Sequence, residues 1–411
     1  MTSNPGLEQT AAPIDSPEGA VTALISRTSQ VGTEVVMLAE ACGRVLATPV
    51  VADRASPSLD VSAMDGFAVR LADLKAGPVP IRGEVRIGTP PAALASGTAA
   101  KIVTGAAVPA GADAVVRIED AQVVPRGLVV AQERVRSLHL GVNIRRCGES
   151  ISAGEVFFAP GRPISPAVVS ALASFGVVRP TVFRRVRIGV ISTGDEVVLP
   201  ECAPSDWQLR DSNGPSLCSL TATRPSLVVV HQEHVADDPA KLRHAIGRAL
   251  EVCDALLLSG GVSMGHRDFV PACLHEFGAE VLFHKLPQRP GRPVLGAVTS
   301  DGRPILGLPG NPLSVLVTAR RIAVPVLEHM SGLTARATPL RLLSAPSASP
   351  VPHWWFRLVS IDSGSGGQPI ARIVPGQSSG DVVAACQSDG FVEVPPGQLG
   401  DGPWPFYSWT L

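Results

Sequence analysis

Aromatic residues are scarce: Phe, Trp and Tyr make up 4% of the 411 residues, with a single Tyr. A base-stacking surface is therefore not expected. Net charge is missing too. Lys and Arg total 35 against 36 Asp and Glu, a formal charge of -1, which removes any global electrostatic case for nucleic-acid binding. Although 45% of the residues are hydrophobic, no apolar run approaches the roughly 20 residues that a membrane span needs. The opening stretch, MTSNPGLEQTAAPIDSPEGA, has neither a basic n-region nor an apolar h-region. Residues 1–14 read as a disordered leader, and the cytoplasm is the expected location. Seven cysteines (Cys42, Cys147, Cys202, Cys218, Cys253, Cys273 and Cys386) include no Cys-x-x-Cys pair. That argues against a disulfide framework and against zinc, and most are expected to be small buried residues.

Turn formers, in contrast, are abundant: 40 Gly and 38 Pro, spread along the chain, point to turn-rich structure. The length implies several domains. Residues 16–30 carry helical periodicity, which EVVMLAEACGRVLATPV continues towards a strand or turn. From about residue 55 to 150, short β-like runs such as VPIRGEVRI and AVVRIEDAQVV lie between Gly and Pro turns and predict a small, mostly β domain. Residues 163–176 predict a helix with Ser165 as N-cap and Pro166 at its first position. Apolar strands then alternate with helices from VRIGVIST to the helix NPLSVLVTARRIAVPVLEHM, implying a parallel sheet with crossover helices on its faces. After about residue 334 short β runs return, predicting a C-terminal β domain.

Sheets of that kind bind ligands beyond the carboxyl ends of their strands, and polar residues gather there. VISTGDEV places Thr193, Gly194, Asp195 and Glu196 after the first strand. RDSNGP places Asp211, Ser212, Asn213 and Gly214 at a helix start, and HVADDP puts Asp237 and Asp238 after the second strand. SGGVSMGHRD contributes Ser259, Gly260, Gly261, Ser263 and Asp268. GLPGNPLS turns at Pro309 and Gly310 and opens a helix with Asn311 as cap, offering free N–H groups. Each feature alone has a plain structural explanation: Asp237-Asp238-Pro239 makes a good helix start, and Asn311-Pro312 another. Together, donor-rich turns beside several carboxylates compose a site for phosphate plus a hard divalent cation.

With these motifs laid out, the sequence resembles the MoeA family, to which the E domain of gephyrin is equivalent. The segments SAMDGFAVR (62–70), IVTGAAVPAGADAVVRIED (102–120), NIRRCGESISAGEVF (143–157), ISTGDEVV, DSNGP, SGGVSMGHRDF, HKLPQRPGRP (284–293) and GLPGNPLS follow the family order from about residue 15 to the C-terminus. The resemblance implies a multidomain α/β plus β subunit. Its parts would be a discontinuous helical stalk (15–52 and 151–185), an inserted β domain (53–150), a three-layer molybdopterin-binding-type α/β domain (186–334) and a barrel-like C-terminal β domain (335–411). It further implies a homodimer with a shared active site, and magnesium-dependent insertion of molybdate into adenylylated molybdopterin with release of AMP.

Carried over residue by residue, the resemblance assigns catalytic roles to Asp65, Glu196, Asp237 and Asp268, the last three also holding Mg2+. Thr104, Arg145, Lys285, Arg289, Arg292 and Ser379 are assigned to substrate, together with the strand-end residues Thr193, Gly194, Ser259, Gly260, Gly261, Ser263, Pro309, Gly310 and Asn311. Four departures lie close to this chemistry. Ser150 stands where the family pattern reads Asp, and Arg289 and Arg292 stand where lysines are common. His266 replaces an acidic residue, and Val61 an asparagine. Ser150 and His266 favour an alternative, a pterin-binding carrier that has lost turnover. A nucleotide or pyrophosphate hydrolase of the CinA kind fits less well, because SAMDGFAVR and NIRRCGES lie outside the α/β domain that such proteins share.

Overall fold

Strand Val186–Thr193 is buried almost throughout, and its neighbours explain why. Along Ala255–Ser259, Leu257 enters one apolar layer while Leu256 and Leu258 enter the other, the period of two that a strand imposes. The computed structural model describes residues 14–262, 269–334, 341–344, 349–363 and 369–410. Edge to edge, the six strands of this sheet are Leu227–Val235, Val186–Thr193, Ala255–Ser259, Pro304–Leu308, Leu295–Val298 and Glu280–His284. The first four are mutually parallel. Leu295–Val298 runs antiparallel to both its neighbours, so the sheet is mixed where a parallel one was expected. No crossover helix separates Leu295–Val298 from Pro304–Leu308; a tight turn closed by Gly302 N–H on Thr299 O, 2.9 Å, makes them a hairpin.

Helices Pro17–Arg27 and Asn213–Ala222 and the helical run from Pro312 to Met330 cover one face, and Pro239–Val252 and Val270–Glu276 cover the other. The result is three layers with apolar contact on both sides of the sheet. The last run was expected as one helix. It contains a π-helical turn, Ala319–Ala323, just before Pro325, which has no N–H to donate. Two cap predictions hold: Ser165 Oγ accepts Val168 N–H at 3.3 Å, and Asp238 Oδ1 accepts Lys241 N–H at 2.8 Å. The helical pattern of residues 16–30 stops at Arg27, and Thr33–Val35 instead pairs antiparallel with Thr181–Phe183. β-Branched Thr33, Val35 and Val36 favour that extended state.

Five C-terminal strands close into a barrel. Trp354–Ser363 pairs with Pro369–Ile373, which pairs with Arg341–Ser344; that strand pairs with Trp404–Ser408, then Gly390–Val394, which returns to Trp354–Ser363. The barrel is fixed to the α/β part by strand pairing, apolar packing and buried charge, among other contacts. Gln288–Arg289 adds to Trp354–Trp355 as a parallel strand. Leu313 and Val317 of the Pro312 helix pack on Phe356, Leu358 and Phe391. The buried guanidinium of Arg321 pairs with the buried carboxylate of Glu393. At the opposite end of the sheet, Asp254 accepts from Arg184 Nη2 at 2.8 Å and from Arg187 N–H at 2.8 Å. Burial pushes its carboxyl up, but these bonds outweigh burial and hold its pKa at about 2.

Everything above lies in one compact unit, formed by residues up to 48, 160–169 and from 179 onward; residues 49–159 and 170–178 form a second. The second unit is built on a four-stranded sheet in the order Ile81–Val85, Ala99–Ile102, Gly66–Val69 and Ala114–Arg117. Gly66–Val69 is buried on both sides, Phe67 and Val69 in one cluster and Ala68 in another. All seven cysteines are free, as expected, but the expected burial is wrong for most: Cys253 and Cys273 are buried, Cys218 is half-buried, and Cys42, Cys147, Cys202 and Cys386 are exposed. Those four lie outside the apolar clusters, where a thiol has no packing role. No helix among the described residues is long and apolar enough to cross a membrane.

Candidate functional site

The sheet direction sends the carboxyl ends of five strands to one rim, and a cleft of about 1680 Å3 opens there between the sheet domain and the barrel. This exceeds the ~300–1000 Å3 usual for one drug-sized ligand. Thr193, Gly194, Glu196, Asp237, Gly260 and Gly261 line it, as do Lys285, Arg289 and Arg292. Pro309, Gly310, Asn311 and Ser379 complete the predicted residues found in its wall. Ser259 lies just beneath, almost fully buried, while Ser263, His266 and Asp268 fall outside the described residues.

Acidic and basic side chains enter this rim from both edges of the sheet, with Arg210 beside the acidic loops. Glu196 and Asp237 follow the two adjacent strands at one edge of the sheet, and Lys285 follows the strand at the other edge, with Arg289 and Arg292 beyond it. Four strand spacings of about 4.8 Å separate Val186–Thr193 from Glu280–His284, or roughly 19 Å. The donor-rich turns at Gly260-Gly261 and Gly310-Asn311 lie between the acidic and basic ends.

Each end is positioned by local chemistry. In the two acidic loops, Asp195 Oδ1 accepts Asp237 N–H at 3.0 Å, tying the loops together, and Asp238 caps its helix. Glu196 folds over Gly194, where an added Cβ would lie 2.9 Å from the Glu196 carboxylate; the positive φ of 142° also favours glycine. At the basic end, Lys285 itself has a φ of 79°, an uncommon conformation for a side-chain-bearing residue, held by its N–H on Val294 O at 2.7 Å. His353 of the barrel also lines the cleft; burial, then Arg289 and Arg292, hold its pKa below the usual histidine range.

The central turns differ from the sequence expectation in one respect. Asn311 does not cap its helix: Nδ2 donates to Ser379 Oγ at 2.9 Å, and Ser379 O accepts Leu313 N–H at 3.1 Å. The helix N-terminus is thus partly capped by the barrel, 68 residues away in sequence, and not all its N–H groups are free. Gly260 has a packing reason as well. With φ at 93°, its added Cβ would stand 2.6 Å from Thr193 Oγ1 and 2.8 Å from Thr193 O. Gly310 has no such constraint, its nearest neighbour for a Cβ being Gly260 Cα at 3.9 Å.

Three predicted residues belong to the second unit. Asp65 Oδ1 accepts both Thr104 N–H at 2.7 Å and Thr104 Oγ1 at 2.8 Å. These two bonds, the backbone one first, lower the Asp65 pKa below the usual carboxylate range. Arg145 Nη2 donates to Ser150 Oγ at 3.1 Å and Arg145 Nε to Glu149 Oε1 at 3.4 Å, so Ser150 keeps a polar partner for Arg145 where the family pattern has a carboxylate. Apart from Ser379, sequence reasoning missed the barrel's share of the cleft, which includes His353, Trp355 and Arg357. The adjacent aromatics and basic groups in HWWFR were the one available signal.

Among the described residues, no group of three or more His, Cys, Asp or Glu side chains is arranged to hold a metal ion. Two carboxylates in one cleft nonetheless suit Mg2+, which takes one or two protein carboxylates and completes its octahedron with water and substrate phosphate.

Comparison with known proteins agrees with this architecture. Residues 15–176 match the MoeA N-terminal region (domain I and II), and residues 189–329 match a probable molybdopterin binding domain. The molybdopterin molybdenumtransferase of Synechococcus elongatus is 36% identical over 323 residues, covering 75% of this chain and 78% of its own. That of Haemophilus influenzae is 33% identical, covering 73% of each chain, and that of Bacillus subtilis is 30% identical, covering 96% and 92%. The crystal structure of the molybdopterin biosynthesis MoeA protein from Pyrococcus horikosii superposes with a TM-score of 0.77 at 26% identity, covering 98% of this chain and 100% of that one.

Proposed function

The chain belongs to the MoeA family of molybdopterin molybdenumtransferases, and on that premise we propose that it inserts molybdate into adenylylated molybdopterin with release of AMP. The observation that carries this reading is one long cleft with Glu196 and Asp237 at one edge of the sheet, glycine turns in the middle and Lys285, Arg289 and Arg292 at the other edge. One ligand combining a phosphoanhydride, whose charge Mg2+ would offset, with an end that receives an oxyanion would span it, and a simple mononucleotide would not.

In this reading Glu196 and Asp237 hold Mg2+ at the acidic end, with Asp268 as a third candidate. Mg2+ held there would supply charge neutralisation to the phosphoanhydride. Gly260, Gly261 and Gly310 admit the phosphates close to the backbone, with Thr193, Gly194, Ser259, Ser263, Pro309 and Asn311 around them. Lys285, Arg289 and Arg292 hold molybdate, the arginine forks offering paired donors where a lysine offers a point charge, and Ser379 adds a hydroxyl. Substrate contact by Asp65, Thr104 and Arg145, the homodimer, cytoplasmic location and the four-part domain division belong to the same proposal. A pterin carrier is the second reading, motivated by Ser150 and His266; the Arg145–Ser150 bond weighs against the first of these, since the arginine keeps a partner.

The test is AMP release from adenylylated molybdopterin with Mg2+, with and without molybdate. Molybdate-stimulated release that collapses in Glu196→Ala and Asp237→Ala supports the transferase. Tight pterin binding with no release makes the protein a carrier.

A further inference from the structure

Between the two edges of the sheet, one side chain joins the segments that form the centre of the cleft. Asn213, the first residue of helix Asn213–Ala222, donates from Nδ2 to Ser259 Oγ at 2.9 Å and to Gly310 O at 2.7 Å. Both amide protons are therefore engaged, one on the end of strand Ala255–Ser259 and one on the turn after Pro304–Leu308. Its backbone is held as firmly. Asp211 Oδ1 accepts Asn213 N–H and Gly214 N–H, each at 3.0 Å, while Asp211 Oδ2 accepts Ser192 Oγ at 2.7 Å on the central strand. Asn213 Oδ1 is buried and has no hydrogen-bond partner. Two strand ends thus meet at one half-buried amide in the cleft wall, and a third is tied to the same residue through Asp211.

The bond to Gly310 O has a directional consequence. A trans peptide sets its carbonyl and N–H on opposite sides, so a Gly310 carbonyl turned to Asn213 sends the Asn311 N–H the other way. We infer that Asn213 is a positioning residue: it fixes the Gly310–Asn311 peptide and the Ser259 strand end so that backbone donors face the phosphate portion of the substrate. This rests on the reading of the cleft as a pterin-nucleotide site. The role is local to the phosphate region, because Lys285, Arg289 and Arg292 stand on other segments.

AMP serves as the binding probe for the full-length protein, with turnover measured in parallel. In Asn213→Ala and Asn213→Asp, AMP affinity is expected to fall at least about tenfold, with melting temperature retained, because donors to the phosphate lose their alignment. KM for adenylylated molybdopterin rises by a similar factor while KM for molybdate is unchanged. A general loosening of the fold would instead raise both KM values and lower the melting temperature, and that result overturns the inference. Unchanged AMP affinity in both variants overturns it as well. If the unsubstituted protein binds AMP without turnover and Asn213→Ala weakens that binding, the positioning role stands and the transferase reading falls. If the unsubstituted protein binds no AMP, both fall together.

Discussion

Two glycines of the same rim should behave in opposite ways when replaced by alanine. At Gly260 the new methyl meets the Thr193 hydroxyl at 2.6 Å and the Thr193 carbonyl at 2.8 Å. An ordinary contact is about 3.5 Å or more, so a displacement on the order of 1 Å is required at the end of a central strand. The φ of 93° adds a conformational penalty of about 1–2 kcal/mol for any residue with a Cβ. A misplacement of about 1 Å near the chemistry can lower a rate roughly 100-fold. Gly260→Ala is therefore expected to lose about 1–3 kcal/mol of stability and about two orders of magnitude in kcat/KM for AMP release. Gly310→Ala meets nothing closer than 3.9 Å and has no positive φ, so its melting curve should match the parent while affinity for the pterin nucleotide falls. Thermal denaturation and steady-state AMP release on both variants decide the matter. A Gly260→Ala protein that is as stable and active as the parent would refute the packing argument. A Gly310→Ala protein with parental affinity would refute close approach of the ligand.

Adjacent aspartates should also separate. Asp238→Ala removes a helix cap and should cost about 1 kcal/mol in denaturant unfolding with activity kept, whereas Asp237→Ala should abolish AMP release. The Arg321–Glu393 pair is buried on both sides, so Glu393→Ala leaves the buried guanidinium to the exposed Glu18 carboxylate at 3.2 Å and should destabilise by up to about 3–5 kcal/mol, seen as a lower denaturation midpoint; equal stability would show that the pair is not closed. Asp254 has a folded pKa of about 2, depressed from an unfolded value near 3.9. Its contribution is fully present above the unfolded value and is lost as pH falls towards the folded one, on the order of 1–2 kcal/mol after allowing for partial exposure. Asp254→Asn should flatten the stability profile between about pH 4 and pH 2, and an unchanged profile would contradict the Arg184 and Arg187 pairing.

What the sequence made legible was largely local. Ser165 and Asp238 announce helix starts because the cap lies three residues from the N–H that it accepts. The apolar strands were readable because burial on both faces leaves a run of Val, Ile and Leu. Features settled by distant partners were not. Asn311 has every mark of a cap, yet its amide is taken by Ser379, which folding brings to it from the barrel. Leu295–Val298 is short and sits between two prolines and a turn, and only its pairing reveals that it runs against its neighbours. Barrel closure rests on Trp354–Ser363 meeting Gly390–Val394, a non-local pairing that no periodicity encodes. For the same reason the acids and turns of the rim could be named from strand ends, while His353, Trp355 and Arg357 could not.

The account's central claim is that the two ends of one rim serve one reaction. It is tested most directly by counting both products of a single incubation of protein, Mg2+, molybdate and adenylylated molybdopterin: AMP released and molybdenum retained on the pterin. Equal amounts are expected, and Arg289→Ala and Glu196→Ala should each lower both products together. Release of AMP with no molybdenum on the pterin, unaffected by Arg289→Ala, would contradict the claim.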